Sequence, residues 1–239
     1  MDREKLFEEF INECEGRGEI CGQGNPNSDI LIIGQEPYNE KELRGEDLQE
    51  YLRNKYKDCR DPYRRFFVHP SKGLSPTWRN YQRLIEKTYP NKPNHFNTVD
   101  FEVYAFTTEL NKIPRPHKCF DEETQKNVRK RLSFFKESNF IKSFNIVILA
   151  CGSYIPNNEE QGYLINDTFG VEFDIKPKMD GKPIGEHKYN SGHWFFTHHG
   201  DEGKKLVIHT RQLSNLNNYH IIDDMADEIN NHLKKLGII

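Results

Sequence analysis

Apolar residues along this chain fall into short continuous runs, separated by stretches in which they recur at helical spacing. The clearest runs are DILIIG (29–34), VYAFTTEL (103–110), FNIVILACG (144–152) and KLVIHT (205–210), the last preceded by HWFFTHHG. Continuous apolar runs of this length are typical of strands buried on both faces of a sheet. The polar tip HHGDEGKK (198–205) predicts a hairpin that joins the last two apolar segments.

Three other stretches place apolar residues three and four positions apart, as amphipathic helices do. They cover residues 3–14, 75–90 and 222–236. Residues 121–138 predict another helix, with acids in its first turn and bases near its middle and end, and the polar region 39–65 predicts a further helix and loop. Gly16 and Gly18 end the first helix, while Ser75 and Pro76 suit the N-cap and first position of the second. Because strands alternate with helices, we predict an α/β fold whose mostly parallel sheet is covered on both faces.

Length, charge and cysteine content narrow the class of protein. The chain has 239 residues and no linker rich in Gly, Ser or Pro, so we predict one domain over residues 1–239. No apolar run approaches the ~20 residues of a membrane span, and the charged N-terminus is unlike a signal peptide, which predicts a cytoplasmic protein. Five irregularly spaced cysteines favour reduced thiols. A net charge of −3 argues against a strong, sequence-independent grip on nucleic-acid phosphates.

Polar side chains of the types used in catalysis and binding follow the ends of the predicted strands. In parallel sheets, ligands bind at the carboxyl ends of the strands, so residues 34–38, 107–109, 153 and 209–214 should meet in space. An acid and a histidine facing each other there suit acid–base work or stabilisation of opposite charges in a transition state. The candidate residues are Glu36, Tyr38, Phe66, Phe67, Thr107, Thr108, Ser153, His209 and Arg211.

Four segments of the chain resemble motifs of the uracil-DNA glycosylase superfamily. GQEPY (34–38) resembles the first motif, Gly-Gln-Asp-Pro-Tyr-His, and HTRQLS (209–214) resembles the second, His-Pro-Ser-Pro-Leu-Ser. IVILACGSY (146–154) and SPTWRNYQRL (75–84) are similar to the family's middle strand and its proline-led helix, in the same order from about Asp29 to Leu233. The resemblance implies a uracil-DNA glycosylase-like three-layer α/β/α sandwich around a mostly parallel sheet of four strands.

The resemblance also implies site roles, position by position. It implies that Glu36 positions a water, that His209 hydrogen-bonds the departing base, and that Gln35, Tyr38 and Phe66 or Phe67 line or stack on a flipped base. Thr108 falls where the family's base-reading asparagine lies. The implied DNA contacts are Ser153, Arg211, Leu213 and Ser214, with Leu213 as a wedge in the duplex. The implied activity is cleavage of the N-glycosidic bond of a deaminated or damaged base in DNA repair, without a cofactor or metal.

Several departures from the family pattern bear on substrate and activity. Glu36 replaces an aspartate, and both prolines of the second motif are missing, with Arg211 in place of a serine. A threonine cannot offer the paired donor and acceptor of an asparagine amide, so selectivity for uracil does not follow at Thr108. The cysteine spacing also differs from that of the branches that hold an iron–sulfur cluster.

Other interpretations stay open at the level of sequence. Glu36 could be a first-turn helix acid, His209 a core histidine, and the rings and Leu213 packing residues. The alternative functions are a catalytically inactive nucleic-acid- or nucleotide-binding protein of the same fold, and hydrolysis of a small molecule in the same cleft. A cluster of His187, His193, His198, His199 and Asp201 matches no familiar metal-binding spacing.

Overall fold

The computed structural model describes residues 2–66, 69–70, 75–91, 98–117, 119–156, 164–175, 184–214, 216 and 220–239. Seven α-helices lie within these ranges. They are α1 Arg3–Arg17, α2 Gly45–Arg60, α3 Pro76–Thr88, α4 Glu122–Glu137, α5 Asn139–Lys142, α6 Leu164–Phe169 and α7 His220–Lys235. The predicted helices are confirmed, with ends that differ by a few residues.

Ten strands are formed by the same part of the chain. They are β1 Gln23–Gly24, β2 Ile30–Gly34, β3 His69–Pro70, β4 Thr98–Val99, β5 Ala105–Glu109, β6 Ile146–Ala150, β7 Val171–Phe173, β8 Glu186–Lys188, β9 Trp194–Gly200 and β10 Lys205–Thr210. The main sheet runs β1-β5-β2-β6-β10-β9-β7, with β8 also paired to β9, while β3 and β4 form a separate pair.

The four predicted buried strands form the parallel centre of the main sheet. β2 pairs in parallel with β5 on one side and with β6 on the other, and β10 pairs in parallel with β6. β9 joins β10 as the antiparallel hairpin that the sequence predicts. The mixed α/β class and the largely parallel sheet are therefore confirmed.

The prediction of a four-stranded sheet is wrong, because the main sheet contains eight of the described strands. The additional strands β1, β7, β8 and β9 all pair antiparallel, and three of them span only two or three residues. Such short edge strands are only partly buried and carry no long apolar run. Their place in the sheet follows from pairing with neighbours, which the local pattern of residues does not reveal.

Helices cover both faces of this sheet. One apolar cluster joins α1, α2, α4, α5 and α6 to Leu31 and Ile33 of β2, and the other joins α3 and α7 to Ile30 and Ile32. Successive side chains of a strand point to opposite faces, so β2 contributes alternately to the two clusters. The arrangement is compatible with a three-layer α/β/α sandwich.

Side-chain caps define the starts of the main helices. Asp2 accepts hydrogen bonds from Glu4 and Lys5 at the start of α1, and Ser75 accepts one from Trp78 at the start of α3. At the other end of α1, Gly18 adopts φ 62°, the left-handed conformation that favours glycine after a helix.

Among the helices of the described ranges, none is both long and apolar enough to cross a lipid bilayer.

Candidate functional site

The candidate site lies at the carboxyl edge of the four parallel strands. Gly34 at the end of β2 is level with Glu109 at the end of β5, and Ala150 at the end of β6 is level with Thr210 at the end of β10. The predicted meeting of these strand ends is confirmed. The segments that leave β2 and β5 continue side by side, because Gln35 accepts a backbone hydrogen bond of 2.8 Å from Asn111.

A short 3-10 turn after β6, Gly152–Tyr154, connects the site residues from three strands. The amide Nε2 of Gln35 donates to the carbonyl of Cys151 at 2.9 Å, and Nε2 of His209 lies 3.0 Å from the carbonyl of Gly152. The hydroxyl of Tyr154 contacts Oε2 of Glu36. The two residues predicted to be catalytic, Glu36 and His209, are therefore both held on the segment 151–154, which we call the anchoring turn.

Gly152 allows the anchoring turn to approach its neighbours. Its φ of 57° is in the left-handed region, which a residue with a side chain rarely adopts. A Cβ at this position would lie 3.6 Å from Nε2 of Gln35 and 3.8 Å from Cα of Arg211. The glycine therefore serves the backbone conformation, since the space beside it would admit a methyl group.

Tyr154 links Glu36 to a second chain segment. Its hydroxyl also lies 3.0 Å from the carbonyl of Cys119, and its ring stacks on Phe120 with centroids 5.4 Å apart. A single hydroxyl hydrogen serves one acceptor at a time, so the carboxyl of Glu36 and the Cys119 carbonyl share this donor. Burial and the charge of Glu36 raise the pKa of Tyr154, which keeps the hydroxyl protonated.

His209 is buried and uncharged at neutral pH. Burial lowers its pKa to about 4, although the hydrogen bond to Gly152 opposes this shift. Since a carbonyl can only accept, Nε2 carries the hydrogen, and Nδ1 is an acceptor that has no partner among the described residues. The ring lies edge-on to Trp194, with centroids 5.0 Å apart. In this state His209 holds the anchoring turn and has no free donor.

Glu109 is the site residue that the sequence analysis did not single out as catalytic. Burial, and next the negative charge of Glu36, raise its pKa to about 8. Oε2 is sealed from solvent without a hydrogen-bond partner in the described part of the chain, and the carboxyl packs directly over Gly34. The signal that could have identified it is an acid at the end of an otherwise buried strand, level with the glycine that precedes Gln35 and Glu36.

Asn111 and Arg115 follow the end of β5 and are both buried. Asn111 accepts from the backbone of Ile113 at 3.3 Å, and its Nδ2 has no partner within the described ranges. Arg115 donates from Nη1 to Thr124 at 3.2 Å, and its Nε lies 3.3 Å from Oε2 of Glu42. Both residues are attached to the segment after β2 by backbone hydrogen bonds, so both belong to the frame of the site.

Two of the proposed contact residues face the core instead of the site. The hydroxyl of Thr108 lies 3.0 Å from Nη2 of Arg131, a buried residue of α4. Leu213 is fully buried in the apolar cluster below α3 and α7, and its carbonyl accepts a hydrogen bond from Asn80. The structure therefore does not bring these two side chains into the candidate site.

The remaining predicted residues are spread over the surface. Tyr38 is 76% exposed, and Arg211 is exposed, with Nη1 3.2 Å from the carbonyl of Gly192. Ser153 is exposed on the anchoring turn and Ser214 is half-buried. Phe66 follows Arg65, which pairs with Glu4 at the start of α1, at the opposite edge of the sheet. Phe67 lies outside the described residues.

The histidines of the sequence cluster have separate partners. Nδ1 of His199 lies 2.7 Å from Asp174, Nδ1 of His198 lies 3.0 Å from Asn166, and Nδ1 of His193 lies 2.9 Å from Ser191. His187 stacks on Phe195. Within the described ranges, no three His, Cys, Asp or Glu side chains are arranged to hold a metal ion.

The carboxyl edge of the parallel strands thus combines two carboxyl groups, a neutral imidazole and a tyrosine hydroxyl. Carboxyl groups with different environments can divide the roles of proton donor and charge-stabilising base between them. This division suits hydrolysis of a bond whose cleavage leaves a cation on one fragment.

No model of a known protein family and no curated protein matches the chain.

Proposed function

We propose that this protein is a uracil-DNA glycosylase-like hydrolase that cleaves the N-glycosidic bond of a flipped, deaminated or damaged base in DNA. The observation that carries the proposal is the attachment of both Glu36 and His209 to one anchoring turn at the carboxyl edge of the sheet. The proposal includes DNA as the partner and the cytoplasm as the location.

We assign to Glu36 the stabilisation of the sugar during cleavage. Breaking an N-glycosidic bond produces an oxocarbenium-like sugar, which a nearby carboxylate stabilises while it orients the attacking water. The hydroxyl of Tyr154 fixes one oxygen of this carboxyl, and Tyr154 itself is buried. Because its side chain is one methylene longer than aspartate, Glu36 needs such a fixed partner to hold the carboxylate in place.

Asn111 is the residue that we assign to the edge of the base, in place of Thr108. It lies two residues beyond the end of β5, it is bonded through its backbone to Gln35, and its Nδ2 has no partner among the described residues. Its Oδ1 already accepts from the backbone of Ile113 and from Nδ2 of Asn127, so the role that we assign is that of a donor through Nδ2. Thr108 is instead engaged with Arg131 in the core.

Phe120 is the ring that we assign to stacking on the flipped base. Phe120 is 43% exposed and stacks on Tyr154, whose hydroxyl touches Glu36. Stacking on aromatic rings offsets the few kcal/mol that extrusion of a base costs. Phe66 lies at the opposite edge of the sheet, which makes it a poorer candidate for this role.

Base release from short oligonucleotides tests the proposal. Single- and double-stranded DNA with uracil, hypoxanthine or xanthine is incubated with the parent protein, with Glu36→Gln, with His209→Ala and with Glu172→Gln. Glu172 is exposed on β7, which β6, β10 and β9 separate from β2 in the sheet, and serves as the matched control. We expect release by the parent and by Glu172→Gln, and a loss of at least about a hundredfold with Glu36→Gln. No release by the parent from any of these substrates would contradict the proposal.

The second candidate function is binding of nucleic acid without catalysis. It is favoured by one observation, namely that the only hydrogen-bearing ring nitrogen of His209 is already engaged with Gly152. In that case the parent would bind the oligonucleotides with an affinity that falls as salt is raised, and would release no base.

A further inference from the structure

Departure of a base requires a donor that the described contacts of His209 do not supply. When the bond from the sugar to the base breaks, its electron pair moves to the base, and a proton or a hydrogen bond stabilises it there. The Nε2–H of His209 is directed to the carbonyl of Gly152, and its Nδ1 carries no hydrogen in this neutral state. Another donor at the same strand edge would complete the site.

Glu109 is placed to be this donor. Its carboxyl packs over Gly34, two residues before Glu36, and the residue as a whole is partly exposed. No hydrogen bond or ion pair is made by its carboxyl within the described ranges, and Oε2 is fully sealed. A carboxyl group that is buried without a partner is costly when it is charged, so the environment favours the neutral acid.

We propose that Glu109 is a catalytic proton donor that protonates the departing base while Glu36 acts as the carboxylate on the sugar side. This inference rests on the proposed function and adds a second carboxyl group to it. Two carboxyl groups with separate acid and base roles are the usual arrangement for hydrolysis of glycosidic bonds. Glu109 ends β5, and Glu36 follows the end of the adjacent parallel strand β2 by two residues, where Tyr154 holds it.

The proposed step is balanced in atoms and electrons. The bond between the sugar carbon and the base nitrogen breaks, and its electron pair stays with the base. The proton of Glu109 moves to a nitrogen or oxygen of the base, while water adds to the sugar carbon and gives its proton to Glu36. One water is consumed, a free base and a sugar hydroxyl are formed, and proton exchange with solvent restores both carboxyl groups.

The charges around Glu109 are consistent with an acid that is protonated at neutral pH. Burial and Glu36 raise its pKa to about 8, and two cations oppose this shift without cancelling it. Five titratable groups on the surrounding elements interact electrostatically with Glu109. They are Glu36, Lys55, Tyr51, Tyr81 and Arg131.

The substrate class follows from the need for a proton. A base with a basic ring nitrogen leaves more readily once it is protonated, and deaminated purines such as hypoxanthine belong to this class. Uracil departs as an anion, and hydrogen bonds are sufficient to stabilise it. The presence of a proton donor in the cleft therefore favours a deaminated purine over uracil as the substrate.

The test measures kcat for hypoxanthine and uracil release between pH 6 and 9.5. It compares the parent with Glu109→Gln, with Glu109→Asp and with the control Glu172→Gln. We expect hypoxanthine release by the parent to fall as the pH rises through about 8. Glu109→Gln should lower kcat for hypoxanthine by about a hundredfold or more and remove this alkaline limb, and Glu109→Asp should retain the limb at a reduced rate.

The outcomes separate this inference from the proposed function. If the parent releases no base at all, both are wrong. Suppose that the parent releases hypoxanthine, that its rate does not fall above pH 8, and that Glu109→Gln releases hypoxanthine at the same rate. In that case only the role of Glu109 is wrong. Release of uracil without hypoxanthine would overturn the inferred substrate class. Glu109→Asp keeps a carboxyl group at this position, so the comparison of its pH profile with that of the parent tests the role even if Glu109→Gln fails to fold.

Discussion

The carboxyl group of Glu109 occupies the space in which a side chain at position 34 would lie. A Cβ on Gly34 would overlap Oε2 of Glu109, so the glycine at the end of β2 and the acid at the end of β5 are fitted to each other. This glycine belongs to the same GQEPY segment that carries Glu36. The local geometry of one strand end is thus set by a side chain of its neighbour.

Gly34→Ala tests this relationship. We expect a loss of about 1–3 kcal/mol in the free energy of unfolding, because the added methyl group overpacks the strand end. In a Glu109→Ala background the same substitution should cost much less, since the overlapping carboxyl is gone. Urea denaturation of the two single variants and the double variant measures the coupling. Additive effects would show that the two residues do not share this space.

Tyr154→Phe tests the hydroxyl that contacts Glu36. Loss of this donor should leave the carboxyl of Glu36 less fixed and lower kcat for base release by about tenfold to a hundredfold, with a smaller effect on KM. Tyr189→Phe is the matched control, because Tyr189 makes an analogous contact with Asp224 on the exposed face near α7. Equal rates for both variants would contradict a role for the Tyr154 hydroxyl.

Acid should destabilise the protein through its buried histidines. Burial lowers the pKa of His198 to about 3 and that of His209 to about 4, both below the value of 6.5 for an exposed histidine. A lowered folded-state pKa gives stability that is present above pH 6.5 and is lost as the pH falls toward 4. Each histidine contributes at most about 1.4 kcal/mol per pH unit.

Urea denaturation of the parent and of His198→Gln at pH 7, 6, 5 and 4 measures this effect. We expect the free energy of unfolding of the parent to fall over this range, and that of His198→Gln to fall less steeply. Parallel curves for the two proteins would exclude His198 as a source of the acid sensitivity.

Leu213→Ala distinguishes a core residue from a wedge in DNA. Because Leu213 is fully buried between β10, α3 and α7, its truncation should cost about 2–5 kcal/mol of stability. DNA affinity, measured well below the unfolding temperature of the variant, should stay close to that of the parent. A stable variant with strongly weakened binding to double-stranded DNA would instead support the wedge.

Cys119 should be the cysteine that reacts first in the folded protein. It is half-buried, whereas Cys14, Cys21, Cys59 and Cys151 are buried, and burial raises the pKa of Cys14 to about 12. Reaction needs contact between the thiolate and the reagent, so thiols that are sealed from solvent react slowly. Intact-mass analysis after iodoacetamide should show one adduct on the native parent and none on Cys119→Ser. Several adducts on the native parent would contradict the buried state of the other thiols.

Local pattern was sufficient to predict the main helices and central strands, and the edge of the sheet at which the parallel strands end. Continuous apolar runs identified β2, β5, β6 and β10, because strands buried on both faces need apolar side chains at every position. The convergence of Glu36 and His209 followed from one further rule, that parallel strands end at a common edge. Each of these inferences depends on residues close in sequence or on the direction of the chain.

Local pattern could not predict to which face of the sheet an individual side chain points. Thr108 and Glu109 are neighbours in β5, yet Thr108 binds Arg131 in the core while Glu109 packs over Gly34. Leu213 sits in the motif-like loop after β10 and is nevertheless part of the core. A one-residue difference in register decides which face a strand residue occupies, and register is set by pairing across the sheet.

The sequence by itself determined the α/β class, the four central strands and the edge at which Glu36 and His209 meet, because apolar periodicity and chain direction are local properties. Only the tertiary structure decided that the sheet has additional edge strands, that His209 is engaged with Gly152, and that burial raises the pKa of Glu109. These properties depend on burial and on partners from distant segments. A pKa or a hydrogen bond exists only once those segments have come together.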